Sequence, residues 1–430
     1  MKELPLDQNN NNINVLNQAL VDELKSMGCI QTPRVEAAFQ AVLRHRFIPE
    51  TPLEEVYSNR VILTKQDQNG QWISSSSQPA IMAIMLEQLD LEPGQKVLEI
   101  GAGTGYNAAL MAHIVGETGQ VVTIDIDDDL VEAAQAHLLR AGLDHVQVIC
   151  ADGGYGYKDV APFDRIILTV GASEIAPAWW EQLKPEGRIV LPLMLKGAMK
   201  SVAFVKVSDH FSSISVKDCG FMPLRGDFAA MTPNEIQIGP DANLFIVSED
   251  ELLINRDTVY DLLVGESKDW AVDIEVTGGD VLHGSLWTWL VFREPQARKL
   301  IAKGDMVEQN IVPPLIGIDG KERSAGTVVL LDKAGLVALM RPPDQPLPLF
   351  TLDKLVASDL PFALFIRQFG ANDLLTQRLI TEIRAWNATG RPALEKIRAY
   401  PRNSQYIPSK NEVVIERQWT KLIIEWQALA

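Results

Sequence analysis

Apolar residues between positions 13 and 46 recur every three or four places, with Val35, Phe39, Val42 and Leu43 on one face. Thr32 is placed to cap a helix and Pro33 suits its first turn, so the pattern predicts an N-terminal helical lid. The asparagine run Asn9 to Asn12 reads as a frayed tail. From Tyr57 to Ser77 the period lapses into polar residues and four consecutive serines, Ser74 to Ser77, which predicts a loop. Helical spacing resumes at Pro79, carries Ile81, Met82, Met85, Leu86 and Leu89, and ends before Pro93-Gly94.

An alternation follows that fixes the fold class. Lys96 to Ile100 reads as a buried strand, Gly101 to Gly105 as a glycine loop and Tyr106 to Val115 as a helix; Gln120 to Asp125 is a strand and Leu130 to Ala141 a helix. Three more β-branched runs, Val146 to Cys150, Arg165 to Val170 and Arg188 to Leu193, continue the rhythm. Strands alternating with helices imply parallel crossovers, hence an α/β, doubly wound, Rossmann-like sheet. Val202 to Val207 and Ile214 to Asp218 suit antiparallel edge strands.

Beyond Gly226 the crossover rhythm stops. The expected division is therefore a first domain over 13–226 and a C-terminal α+β domain over 227–430. The second has apparent strands at Leu244 to Val247, Val272 to Val276, Leu286 to Phe292, Val328 to Leu331 and Leu336 to Met340. A helix carrying Leu375, Leu379, Ile383 and Trp386 follows, then a final strand from Val413 to Trp426. The tryptophans of this half read as core.

Composition narrows the function. At 430 residues, 47% hydrophobic and 22% charged, the chain is an ordinary globular protein of two or three domains. A net charge of -17 would repel a polyanion, so a nucleic-acid partner is not expected. Cys29, Cys150 and Cys219 are far apart and read as reduced thiols rather than a disulfide framework or metal site. With no export signal and no apolar run long enough to span a bilayer, the expectation is a cytoplasmic protein without a membrane partner.

The segment Glu99-Ile100-Gly101-Ala102-Gly103-Thr104-Gly105 links a strand to a helix, where glycines let the backbone approach a nucleotide-like ligand. Gly105 follows Gly103 by two residues where a dinucleotide fingerprint needs three, which argues against a pyrophosphate cofactor. Glu99 precedes the glycines, and Asp125 closes the second strand where a carboxylate can accept from ribose hydroxyls. Asp152, ending the next strand before Gly153-Gly154, could receive an adenine amino group; Asp127 to Asp129 read as helix caps, and His113 and His137 as packing residues. Together these favour S-adenosylmethionine.

From about Val21 to Gly226 the chain resembles the protein-L-isoaspartate O-methyltransferase family. The resemblance rests on Arg34 to Phe39, His45 to Pro49, Tyr57 to Arg60, Ser77-Gln78-Pro79, Glu99 to Gly105, Asp152-Gly153 with Gly156-Tyr157, Val170-Gly171-Ala172, Leu183 to Arg188 and Gly220 to Leu224. It implies a methyltransferase sheet with S-adenosylmethionine bound by Ser77, Glu99, Gly101, Ala102, Gly103, Gly105, Asp125, Ile126, Asp152 and Gly153. It further implies Ser77 as the active serine and Val170, Gly171 and Ala172 beside the acceptor peptide. The sequence departs from the family pattern at Ala80 and Met82, where histidines are usual. The second domain is similar to the extension of long relatives linked to modification of ribosomally made peptides, notably from Val414 to Trp426.

Transfer to a carboxylate needs no general base, because the acceptor, with a pKa of about 4, is already an anion. Alignment and exclusion of water suffice. The expected function is methylation of an isoaspartyl carboxylate of a peptide or protein in repair. The alternatives are an aspartyl-carboxylate methyltransferase maturing a ribosomally made peptide, or a weakly catalytic donor-binding module.

Overall fold

The computed structural model describes residues 6–426, apart from 230–233, 241–242, 250–254, 283–284, 310, 314, 319–322, 334, 346–348, 351–359, 372, 393, 395 and 410–411. The chain begins with helices α1 (Leu6–Ser26), α2 (Pro33–Ala41) and α3 (Leu53–Val56), a hairpin of β1 (Ile62–Gln66) and β2 (Trp72–Ser76), and helix α4 (Pro79–Leu89). The alternating region gives β3 (Lys96–Ile100), α5 (Tyr106–Val115), β4 (Gln120–Asp125), α6 (Asp128–Arg140), β5 (Gln147–Cys150), β6 (Phe163–Leu168), α7 (Pro177–Gln182) and β7 (Leu183–Leu195), then β8 (Ala198–Lys206) and β9 (Phe211–Asp218).

Strands β3 to β7 are parallel and lie in the order β7-β6-β3-β4-β5, so the winding direction reverses between β3 and β6. That reversal opens a crevice at the carboxyl ends of the two strands, the usual ligand position in such sheets. Successive residues of β3 serve opposite faces. Val97 packs with Phe39, Leu86 and Leu110 of the helices, whereas Leu98 joins a core shared with Trp179, Trp287 and Trp386.

The rest of the chain supplies β10 (Asn234–Gln237), β11 (Leu244–Ser248), α8 (Arg256–Val264), β12 (Ser267–Val276), α9 (Gly278–Leu282), α10 (Ser285–Arg293) and β13 (Ala297–Lys303). It continues with β14 (Ile316–Ile318), β15 (Ser324–Asp332), β16 (Gly335–Met340), β17 (Leu349–Phe350), β18 (Phe362–Phe369), α11 (Asp373–Ala388), β19 (Lys396–Pro401), β20 (Glu412–Glu416) and β21 (Thr420–Glu425). A second sheet runs β10-β11-β13-β15-β16-β18-β12, with β14 and β17 beside β15. Its faces alternate: Val337 and Leu339 meet the shared core, while Leu336 and Ala338 pack with Val259 and Leu263 of α8.

The structure revises several expectations. Strands β19 to β21 do not join the second sheet; they extend the first one in the order β20-β21-β19-β9-β8-β7. A division at 226/227 therefore follows sheet membership only in part. The segment Tyr57 to Ser77 holds the β1–β2 hairpin, because Ser74 and Ser76 are buried in alternation and their short hydroxyls find partners. Leu286 to Phe292 is helix rather than strand: all seven residues are buried, so the run has no period to separate the two. Val413 to Trp426 is a hairpin instead of one strand, turned by the Arg417 N–H donating to the Thr420 carbonyl at 2.8 Å. The Asn9 to Asn12 run is the second turn of α1, not a frayed tail.

Truncation after Gly390 is expected to abolish soluble monomeric protein, since it strips Ile397, Ala399, Leu422 and Ile424 from the core and bares the β9 edge. Size-exclusion chromatography of the truncated chain measures this; a monodisperse monomeric product would contradict it.

Candidate active site

A cavity of about 950 Å³ opens at the crevice beside β3 and β6. Its floor is the glycine loop. Gly101 sits at φ +103°, and a Cβ there would come within 2.5 Å of the Thr169 hydroxyl, so β6 and the loop close on each other only because that residue is glycine. Thr169 secures the junction by donating from Oγ1 to the Gly101 carbonyl at 2.6 Å. Ala102, Gly103 and Thr104 complete this side, with Asp125, Ile126, Gly153 and Val170 around it.

Asp125 is the best-defined acid of the site. Its Oδ2 accepts from the Gly103 N–H at 2.9 Å and its Oδ1 from the Ile126 N–H at 2.9 Å, so one carboxylate holds the loop and faces the cavity. Burial pushes its carboxyl up against these stabilising donors. A carboxylate offers about four acceptor positions, which leaves capacity for ribose hydroxyls.

Other assignments change. Glu99 is fully buried and off the cavity: Asn107 Nδ2 donates to it at 2.7 Å and Thr123 Oγ1 at 2.6 Å. It braces the loop from behind through Asn107, which does line the cavity. Asp152 is also off the cavity wall; the N–H groups of Gly154 and Asp227 donate to its two oxygens at 2.8 and 2.6 Å, and only its neighbour Gly153 reaches the space. Gly105 faces Ala134 and Leu138 of α6 and serves helix packing rather than ligand contact. Gly171 and Ala172 do not line the cavity, and their backbone groups are engaged. Gly171 exchanges backbone bonds with Met222 and Leu224, and Ala172 with Pro192 and Met194. Of the three expected acceptor residues only Val170 lines the cavity.

Ser77 lies on the opposite wall, between β2 and α4. The N-cap of α4 is Gln78, and the orphan N–H of Ala80 is met by Asn59 Oδ1 at 3.0 Å, so the Ser77 side chain is not what caps the helix. What fixes Ser77 is Arg44, a fully buried guanidinium missed from the sequence. Arg44 donates to the carbonyls of Val56, Ser58, Arg60, Ser76 and Ser77, the last at 3.0 Å, and to Ser76 Oγ. Burial lowers it to about 10, so it stays charged at neutral pH. The sequence signal available was only an arginine after an apolar helix.

The residues fit a nucleoside donor. The glycine loop is a cradle that side chains would fill, Asp125 supplies the ribose acceptor, and Ile126 and Gly153 provide an apolar flank for a base. A reversed parallel sheet with this loop and acid is the architecture of an S-adenosylmethionine-dependent methyltransferase. The sequence profile of the protein-L-isoaspartate(D-aspartate) O-methyltransferase family matches residues 15–228. A protein-L-isoaspartate O-methyltransferase of Methanopyrus kandleri is 37% identical over 218 residues, covering 50% of this chain and 94% of that one. Protein-L-isoaspartate O-methyltransferase 2 of Archaeoglobus fulgidus is 40% identical over 198 residues, covering 45% and 86% respectively. The enzyme of that name from Thermotoga maritima is 40% identical over 172 residues, 40% of this chain, which spans only 54% of that relative's length. The chain belongs to the protein-L-isoaspartate(D-aspartate) O-methyltransferase family.

Burial raises the Glu99 carboxyl from its ordinary 4.5 to about 7, outweighing the bonds from Thr123 and Asn107. The folded protein thus retains a proton that the unfolded chain releases between pH 4.5 and 7. Glu99 therefore contributes stability that is fully present below pH 4.5 and is lost as pH rises toward 7. Glu99→Gln can accept from Asn107 and donate to Thr123, so its stability relative to wild type should improve by roughly 2 kcal/mol between pH 5 and 8. Denaturant melts at both pH values test this, and parallel curves would refute it.

Proposed function

We propose that the protein is an S-adenosylmethionine-dependent carboxyl O-methyltransferase that acts on isoaspartyl residues of peptides and proteins, in repair. The reading is carried by one observation: Ser77, released from helix capping, is pinned by Arg44 on the cavity wall across from the glycine loop. A Cβ on Gly103 would lie 3.6 Å from the Ser75 carbonyl, so β2 and the loop bound one narrow space.

S-adenosylmethionine, when bound, supplies a methyl group activated by a sulfonium. Gly101, Ala102 and Gly103 would offer close backbone approach, Asp125 would accept from ribose hydroxyls, and Ile126 with Gly153 would flank the adenine. The Ser77 hydroxyl would donate to an acceptor carboxylate held beside Val170. No proton needs to be removed, because the acceptor is ionised at neutral pH. The walls exclude water that would otherwise solvate that nucleophile. The ester formed on an isoaspartyl carboxyl is open to attack by the neighbouring backbone nitrogen, which expels methanol, closes a succinimide and on hydrolysis returns part of the chain to normal aspartate.

The same proposal places the protein in the cytoplasm, supported by three unpaired cysteines, and leaves it without a nucleic-acid partner, supported by its net charge of -17. Among the described residues no helix is long and apolar enough to cross a membrane.

With labelled donor and paired peptides differing only in aspartyl linkage, base-labile label is expected on the isoaspartyl peptide. Asp125→Ala should weaken donor binding by about tenfold or more, as it removes a hydrogen-bonded carboxylate. Ser77→Ala should lower turnover by ~100-fold, the scale for loss of one donor to the reacting oxygen, with a smaller effect on donor affinity. Donor binding without label on either peptide would reduce the protein to a binding module.

A further inference from the structure

S-adenosylmethionine is a net cation, since its sulfonium and ammonium outnumber its carboxylate, whereas the thioether left after methyl transfer is a neutral zwitterion. Among the described residues three charged ones reach the cavity: Asp125, Asp218 and Arg225. Arg225 thus puts a cation into the wall of a site that must hold a cation. It also stands at the donor end. The next residue, Gly226, lies so close to Ile126 that a Cβ there would fall 3.0 Å from Ile126 Cδ1, and Ile126 directly follows Asp125.

The group that answers this charge is Asp127. It is the N-cap residue of α6, yet its side chain makes no capping bond. Both of its oxygens go instead to Arg225: Oδ1 accepts from Nη1 at 3.2 Å and Oδ2 from Nη2 at 2.7 Å. Lys65 of β1 donates to the same Oδ2 at 3.0 Å and to Asp129 Oδ1 at 2.6 Å. Two cations and two carboxylates therefore balance within one network, and Asp127 does not itself line the cavity. A guanidinium gripped at two nitrogens is fixed in direction as well as in charge. Asp125 keeps its own charge for the cavity, because it is held by the backbone N–H groups of Gly103 and Ile126.

We propose that Asp127 is a positioning residue that neutralises Arg225 and holds it back, so that the pocket prefers the cationic donor to its neutral product. Without that carboxylate Arg225 would stand uncompensated beside Asp125, and its repulsion would fall on the sulfonium compound rather than on the thioether. The inference rests on the assignment of the donor and is independent of the acceptor.

Calorimetric titration of the full chain with S-adenosylmethionine and with S-adenosylhomocysteine reads the ratio of the two Kd values, which loss of packing alone would leave unmoved. Asp127→Asn preserves shape and is expected to weaken the donor by about tenfold and the product by no more than about twofold, the scale of one uncompensated charge at a partly buried site. Adding Arg225→Gln to that variant should return the ratio to within about twofold of wild type, since the stranded cation is then gone. Arg225→Gln alone should shift the preference further toward the donor, by about twofold or more, and it carries the test by itself if Asp127→Asn does not fold. Equal weakening of both compounds in Asp127→Asn, a ratio that the double variant fails to restore, or an Arg225→Gln ratio unchanged or moved toward the product overturns the proposal. Wild-type protein that binds neither compound overturns the donor assignment instead, and the proposal with it.

Discussion

A single buried guanidinium governs the geometry of the cavity wall that carries Ser77. Arg44 has no carboxylate partner among the described residues and is satisfied almost wholly by main-chain carbonyls drawn from two separate stretches, 56–60 and 76–77. A charge in such a position is tolerable only if every donor is met, because the desolvation it has suffered is large. The consequence is positional. The segment after α3, the end of β2 and the start of α4 cannot shift independently without stranding either the cation or the carbonyls. Lysine could not substitute, as its three donors radiate from a point whereas the planar fork reaches several carbonyls at once.

The second constraint is that the two halves of the chain are interleaved. The family resemblance ends at residue 228, where the linker crosses the base-flanking side of the cavity: Arg225 pairs with Asp127, Asp227 binds both Asp152 and Tyr155, and Phe228 packs edge-on against Tyr155. A Cβ on Gly226 would fall 2.2 Å from Asp152 Oδ2, so this crossing depends on a glycine at φ +93°. After building its own sheet, the chain returns to cover the β9 edge, and Thr420 exchanges hydrogen bonds with the Ile175 backbone. The buried Arg417–Glu249 pair and the Lys299 bond to the Gly197 carbonyl tie the β7–β8 turn to the second sheet. The later segment is thus part of the scaffold that positions the cavity.

This interleaving explains what the sequence disclosed and what it withheld. The parallel strands, the glycine loop and Asp125 were legible because each is encoded locally, by a short β-branched run, a glycine pair or the last residue of a strand. Glu99 and Asp125 looked equivalent as acids near the loop, yet Glu99 lies inside its strand and is roofed by Asn107 and Thr123, whereas Asp125 closes its strand and reaches the open end. Asp152 and Gly171 take partners that no local pattern announces: Asp152 Oδ2 accepts from the Asp227 N–H, and Gly171 exchanges backbone bonds with Met222 and Leu224, about fifty or more positions away. The β1–β2 hairpin escaped notice because its buried alternation is written in serine, and α10 because a wholly apolar run carries no period.

On the proposed reading an acidic protein must admit an anionic acceptor, and the acids of the loop region are each compensated in turn. Asp127 is neutralised by Arg225 and Lys65, which hold its carboxyl below the ordinary range. Asp125 directs its charge into backbone N–H groups, and burial keeps Glu99 substantially protonated near neutral pH. On the facing wall Arg44 leaves a positive charge behind Ser77, shielded from water and therefore little screened. Within a chain of net charge -17, Arg44 thus places a buried positive charge directly behind Ser77, on the wall across from the glycine loop.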